Sequence, residues 1–311
     1  RRLSIMSYSF LKESKLFIVY GGNKYRIYTT AALSFSQTFA EDSYPVKTLH
    51  DQTKMIEGTT ITKANSATFS FSVPLTAEKD ESLVMDLLSD LVSTSDSDIE
   101  TQQLKSFNMY VQTGSSTFKL ESCIIAGASF ALNPREQFTV ELDGEGVKLS
   151  RVGNGSYNLG TIQSESPTRT PLLVYPVISI DSLDMSSILS ATLQVQNEIE
   201  WTSFETLHES LAVTNSSNVM FPSAYTVKSR IVSGTINQYQ TDNNITQFDD
   251  FSTNSNITLK AKKMNGDTFW QIQMNPSMYS ARVNVGAVFT QTYDFTSQDN
   301  TSLATQISTY S

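Results

Sequence analysis

Two runs in the first quarter of the chain alternate strictly between apolar and polar residues: Leu33-Ser34-Phe35-Ser36-Gln37-Thr38-Phe39 and Ala67-Thr68-Phe69-Ser70-Phe71-Ser72-Val73. A period of two puts every second side chain on one face, so both runs read as half-buried strands rather than helices. About 27 residues separate them, whereas a tight hairpin loop has about 2–5, and a connection that long in a compact domain is either functional or disordered. The first constraint is therefore a strand pair carrying a long arm.

The pattern returns downstream. Ala191-Thr192-Leu193-Gln194-Val195-Gln196 alternates, and Thr206-Leu207-His208-Glu209 follows it as Thr48-Leu49-His50-Asp51 follows the first run. At an offset of 158, residues 33–51 fall on 191–209 without a gap and both histidines coincide. At an offset of 151, Thr117-Phe118 falls on Thr268-Phe269, and Phe138-Thr139 with Leu142-Asp143 falls on Phe289-Thr290 with Tyr293-Asp294. Ser66-Ala67-Thr68-Phe69 best matches Ser233-Gly234-Thr235-Ile236, which makes the second arm about nine residues longer. Matches in one order predict a tandem repeat. Between the copies, residues 144–171 hold five of the 13 glycines and two of the eight prolines, the composition of a connection. The expected division is a first unit at 1–150, a linker at 151–171 and a second unit at 172–311.

Other elements follow locally. Leu16-Phe17-Ile18-Val19-Tyr20, the turn Gly21-Gly22-Asn23 and Lys24-Tyr25-Arg26-Ile27-Tyr28 predict a hairpin. Thr76 with Glu78, Asp80 and Glu81 marks a helix start, and Leu83, Val84, Leu87, Leu88 and Leu91 recur at helical spacing, so their stripe should pack on a sheet. A second helix near 243–251 has only Ile245, Phe248 and Phe251 for a stripe. The sequence predicts an all-β chain with a minor α component: two tandem antiparallel sandwich- or barrel-like units, each with a flanking helix and a long arm.

Composition excludes several functions. With 22 Lys+Arg against 31 Asp+Glu the net charge is -9, which argues against gripping nucleic acid through a basic face but not against letting it slide past. A single cysteine, Cys123, rules out an intrachain disulfide, and its apolar neighbours Ile124-Ile125-Ala126 predict a buried, inert thiol. No stretch approaches the ~18 apolar residues of a membrane-spanning helix, and the apolar element after Arg1-Arg2 is too short for a signal peptide. HExxH, CxxC, phosphate-loop and nucleophile-elbow patterns are all missing, so no catalytic, metal-binding or cofactor-binding residue is expected. His50 and His208 each precede an acid, yet histidines related by a repeat read more simply as structural positions than as general bases. The acids Asp96, Asp98 and Glu100 lack the spacing of a calcium loop.

The arms, at about 40–65 and 199–233, carry apolar residues among polar ones: Tyr44, Leu49, Met55 and Ile56 in the first, Trp201, Leu207, Val219, Met220 and Phe221 in the second. Either a partner buries them, or each arm folds back on its own unit.

Gln37-Thr38-Phe39 leading into Tyr44-Pro45-Val46-Lys47-Thr48-Leu49-His50-Asp51, then the alternating strand 67–73 and a helix, resembles the tail tube proteins of tailed bacteriophages, in the version with two tube domains in one chain. The resemblance covers most of residues 15–295 and implies a structural virion protein, assembled in the host cytoplasm, whose sheets join around a ring into a continuous barrel lumen. Two domains per chain imply a homotrimeric ring with pseudo-sixfold symmetry. Tyr44, Leu49, His50, Met55, Ile56, Trp201, Leu207, His208, Val219, Met220 and Phe221 would then be ring-stacking or subunit-interface residues. Implied partners are further copies of the chain, a tape measure protein and DNA held without sequence-specific contacts in the lumen, and sheath or baseplate proteins, with no membrane. Unequal arms leave open a specialised tube-end or baseplate-proximal ring, and a receptor- or glycan-binding β-sandwich is the alternative of another class.

Overall fold

The computed structural model describes residues 14–28, 33–44, 58–75, 83–84, 86–88, 91–92, 103–113, 116–133, 136–153, 161–162, 175–180, 185–202, 219–244, 257–262, 265–266, 268–274, 276–297 and 307–310. The first half runs through β1 (Lys15–Tyr20), β2 (Asn23–Ile27), β3 (Ser34–Ser36), β4 (Phe39–Tyr44), β5 (Gly58–Ala64), β6 (Ala67–Pro74), β7 (Leu91–Val92), β8 (Gln103–Leu104), β9 (Phe107–Gln112), β10 (Thr117–Leu132), β11 (Thr139–Gly146), β12 (Lys148–Val152) and β13 (Thr161–Ile162). The second runs through β14 (Tyr175–Ile180), β15 (Ile188–Thr202), β16 (Ala224–Tyr239), β17 (Ile257–Lys262), β18 (Thr268–Met274), β19 (Ser277–Asn284), β20 (Thr290–Thr296) and β21 (Ile307–Tyr310). Among the described residues the fold is nearly all β, and its strand pairs are antiparallel apart from the short β13·β2 pair and an isolated parallel bridge between Lys63 and Met220.

The second alternating run behaves as its period demands, whereas the first forms β3 only over Ser34–Ser36 and leaves Phe39, expected on the buried face, 51% exposed. β3 pairs with β6, Phe35 opposite Phe69, and β6 buries Ala67, Phe69, Phe71 and Val73 while exposing Thr68 and Ser70. The arm continues the same hairpin as β4·β5 after a break at Gln37-Thr38. The Gln37 side chain bridges that break: Nε2 donates to the Asn65 and Val147 carbonyls at 2.9 and 3.0 Å, and Oε1 accepts the Leu149 N–H at 2.9 Å. At the β1·β2 turn, Gly21 and Gly22 take positive φ of 57° and 78°, the conformation that glycine supplies without steric cost.

Leu83, Val84, Leu87 and Leu88 are helical and buried in the main core, as a leucine stripe packed on a sheet should be. Leu91, expected on that stripe, instead pairs with Leu104 in β7·β8. The residues expected to form a second helix lie outside the described residues from 245 onward, and Thr241 to Asn244 form a turn in which Asn244 Oδ1 accepts the Thr241 N–H at 2.7 Å.

β10 organises the first half. Its leading part lies between β9 and β12, and its trailing part between β11 and β15. The switch occurs at two register irregularities, Leu120/Cys123 and Ile125/Gly127, with Ser122 at φ 49° between them; bulges let one strand serve two sheets.

The pairing scheme occurs twice. The row β1-β9-β10 with β12 has its counterpart in β14-β17-β18 with β21, and β3-β6-β11-β10 in β15-β16-β20-β19. In the second half β10 is divided into β18 and β19, and Pro276, which cannot donate to a ladder, falls in the break. The irregularities recur as well: Ala40/Glu41 in β4 matches Glu198/Ile199 in β15, and Ile125/Gly127 matches Met278/Ser280. One sequence match shifts by two. Ser70 opposite Asp143 corresponds to Thr235 opposite Asp294, so Phe71, not Phe69, takes the place of Ile236. An alternating pattern is degenerate under a two-residue slip, because the slip preserves the buried face.

Candidate assembly surfaces

Among the described residues, one strand ladder joins the halves. β10 and β15 run antiparallel from Gly127 opposite Gln196 to Leu132 opposite Ala191. Ala128, Phe130 and Leu132 face Val195, Leu193 and Ala191 on the core side, and all six are buried. A polar clasp secures the seam. Arg230 Nε donates to Asn197 Oδ1 at 2.7 Å, Asn197 Nδ2 donates to the Ile125 carbonyl at 3.0 Å, and Arg230 also reaches the Leu88 carbonyl at 3.3 Å. Burial pushes the Arg230 guanidinium down to about 10.

The eight-strand row β3-β6-β11-β10-β15-β16-β20-β19 leaves its two end strands open among the described residues. β3 pairs only with β6, and β19 only with β20. They are the counterparts of the two strands joined in the internal seam: β19 corresponds to the trailing part of β10, and β3 to the start of β15. Burial tracks this difference. Phe130, Leu132 and Phe138 are 0%, 7% and 3% exposed beside the seam, whereas their counterparts Val283, Val285 and Phe289 are 38%, 75% and 45% exposed. Val288 in the same uncharged hairpin is also exposed. Beside β3 lies a groove of about 510 Å³ whose lining includes Leu16, Ile27, Leu33, Phe35 and Val111.

The eight-strand row β3-β6-β11-β10-β15-β16-β20-β19 has one face in the core and the other mostly polar, with Ile231 and Tyr239 exposed on it. Outward positions include Ser34, Ser36, Thr68, Ser70, Ser129, Glu141, Asp143, Thr192, Gln194 and Thr235. Asp143 lies over Gly127, where any Cβ would come within 2.5 Å of its carboxylate. Desolvation in that position holds the Asp143 carboxyl above the usual range, outweighing the hydrogen bond from its own backbone. Its counterpart Asp294 is instead paired: Arg282 reaches it at 2.8 Å, and Thr235 Oγ1 donates to it at 3.0 Å. The cation described on this wall, Arg282, is neutralised by Asp294, and the rest is acidic and hydroxyl-rich, a surface that repels phosphate at short range.

The residues expected on the arms divide. Leu49, His50, Met55, Ile56, Leu207 and His208 lie outside the described residues, and Tyr44 is placed only as the last residue of β4. Trp201 sits half-buried at the end of β15, its ring tilted against Tyr225 with centroids 5.2 Å apart and its indole N–H donating to Glu145. Tyr225 in turn donates to the Leu104 carbonyl at 2.9 Å, so this part of the second arm folds back on the first half. Val219, Met220 and Phe221 are half-buried. The Met220 carbonyl accepts the Ala64 N–H at 2.9 Å, and Lys148 lies 4.8 Å over the Phe221 ring. Residues 219–221 of the second arm therefore lie against the base of the first. Sequence reading missed the seam and both edges. The available signal was the loss of aromatic bulk where Phe130 and Leu132 become Val283 and Val285.

Compared with described protein families, residues 6–307 match the Bacteriophage Baseplate Tube Protein Family. The chain belongs to that family. No curated protein sequence matches it. As a baseplate tube protein it is a structural virion component of the phage tail and baseplate, and its all-β architecture accords with the resemblance to tail tube proteins. Cys123, fully buried, has its thiol pushed up to about 12 by desolvation, which makes it a packing residue of this baseplate tube protein.

Proposed function

We propose that this baseplate tube protein is a tandem-domain tube subunit, with tube domains at 1–150 and 172–311 joined through 151–171, which closes into a homotrimeric, pseudo-hexameric ring and stacks to form the conduit for DNA ejection. The observation that carries the reading is the doubled pairing scheme. One seam is made within the chain, and the two strands equivalent to those in the seam are left as open edges. A heterologous head-to-tail contact of that kind generates a closed ring when its rotation completes a circle. Three eight-strand rows with strands ~4.8 Å apart give a barrel about 37 Å across between backbones before tilt widens it, and side chains then leave an open channel.

The polar face is assigned to the lumen, where DNA and a tape measure protein pass without sequence-specific contact. The arms, brought side by side at Lys63 and Met220, are assigned to stacking against the next ring. The family match favours a ring near the baseplate over the repeating tube, with baseplate or sheath proteins as neighbours and assembly in the host cytoplasm. Native mass spectrometry of the purified protein tests the ring: a species of three chains is expected, and a strict monomer up to high concentration would count against the reading.

A further inference from the structure

The two open edges carry a specific register. Within the chain, Phe130 stands opposite Leu193, Ala131 opposite Thr192 and Leu132 opposite Ala191. The matching irregularities and cross-strand partners identify Val283, Asn284 and Val285 as counterparts of Phe130, Ala131 and Leu132, and Leu33, Ser34 and Phe35 as counterparts of Ala191, Thr192 and Leu193.

We propose that β19 of one copy pairs antiparallel with β3 of the next copy in the register of the internal seam, setting Val283 opposite Phe35, Asn284 opposite Ser34 and Val285 opposite Leu33. This rests on the ring reading and sharpens it to individual residue pairs. The occupant of each edge is a second copy because burial in the seam shows what those positions require: their counterparts are covered wherever a β15-type strand lies alongside, and Val283 and Val285 are bare where none does. The face parity agrees. In this register the core-side Val283 and Val285 meet Phe35 and Leu33, both already packed against the main core, and Asn284 meets the exposed Ser34. The pairing also brings the uncharged hairpin 285–289 to the side of Leu33, where the groove beside β3 can receive Val285 and Phe289. An eight-residue edge strand that carries exposed Val283 and runs into exposed Val285 is otherwise a template for uncontrolled pairing.

The test mixes full-length chains carrying Asn284→Cys alone with chains carrying Ser34→Cys alone, under mild oxidation; buried Cys123 stays out of the reaction. Cross-strand disulfide geometry is narrow, so a covalent two-chain product is expected at about tenfold the yield of the two-residue-slipped combination of Asn284→Cys with Ser36→Cys, which keeps the same face. One chain bearing both Asn284→Cys and Ser34→Cys should give a covalent closed ring. Equal yields from the slipped combination, or rings visible by electron microscopy with no in-register product, would overturn the register while leaving the ring reading standing. Protein that stays monomeric throughout would overturn both. As a second arm, Val285→Asp should keep the wild-type unfolding midpoint and lose assembly; a variant that assembles normally would contradict the proposal.

Discussion

Arg230 Nε donates to Asn197 Oδ1 at 2.7 Å inside the seam between the halves. With its further reach to the Leu88 carbonyl, Arg230 ties β15, β16 and the helical segment into one body. Arg230→Ala should cost about 3 kcal/mol, since it strands buried acceptors. Arg230→Met should cost less, because it also removes a desolvated charge while retaining bulk. Urea midpoints check this; an Arg230→Ala loss below about 1 kcal/mol would show that the clasp is dispensable.

The second half carries a polar trio where the first is apolar. Val73 and Val140 are replaced by Gln238 and Gln291, and Leu142 by Tyr293. Tyr293 donates to Gln291 Oε1 at 2.5 Å, Gln238 approaches the hydroxyl at 3.4 Å, and Gln238 Oε1 and Gln291 Nε2 are buried without a hydrogen-bond partner. Gln291→Val alone should cost about 1–3 kcal/mol by stranding the Tyr293 hydroxyl. The triple Gln238→Val, Gln291→Val, Tyr293→Leu should lose clearly less than the three single losses added, because no polar group remains to be stranded. Denaturant melts of the four variants check it, and strict additivity would contradict the account.

Asp143 gives a pH signature. Its folded-state carboxyl lies above the unfolded value, so the ionised form is penalised in the fold at neutral pH and relieved as pH falls through the folded value. Asp143→Asn should therefore raise the urea midpoint at pH 7, with the gain vanishing toward pH ~4, where the unfolded carboxyl also protonates. A gain that grows on acidification would reverse the sign and sink the assignment.

The arm assignment predicts a separation of functions. Leu49→Asp with Met55→Asp places charge on the first arm and should leave rings intact while abolishing their stacking into rods, as scored by electron microscopy. Rods of normal length would remove the arms from the stacking contact.

Strand positions were legible where alternation, as along 67–73, encodes a buried face directly, and Asp143 and Asp294 stand opposite Ser70 and Thr235 in β11 and β20. The two-residue error at Phe69 arose because alternation specifies face but not register. In β10, Glu121 and Ser122 interrupt the apolar alternation at the point where the strand changes sheets, so its length is not encoded in the period. The seam was illegible for a different reason: which edges pair depends on burial across distant segments, and Val283 alone looks like any core valine. Trp201, expected on a projection, turned out to pack on Tyr225 and Glu145, since the indole N–H needs an acceptor that only the folded first half supplies.

The most direct measurement is a cryo-electron microscopy reconstruction of the purified assembly. The account predicts three chains per ring, alternating internal β10·β15 seams with β19·β3 contacts between chains, and a channel lined by Ser34, Ser70, Glu141, Asp143 and Thr192. A ring whose channel is walled by the other sheet, or whose chains meet without joining β19 to β3, would contradict it.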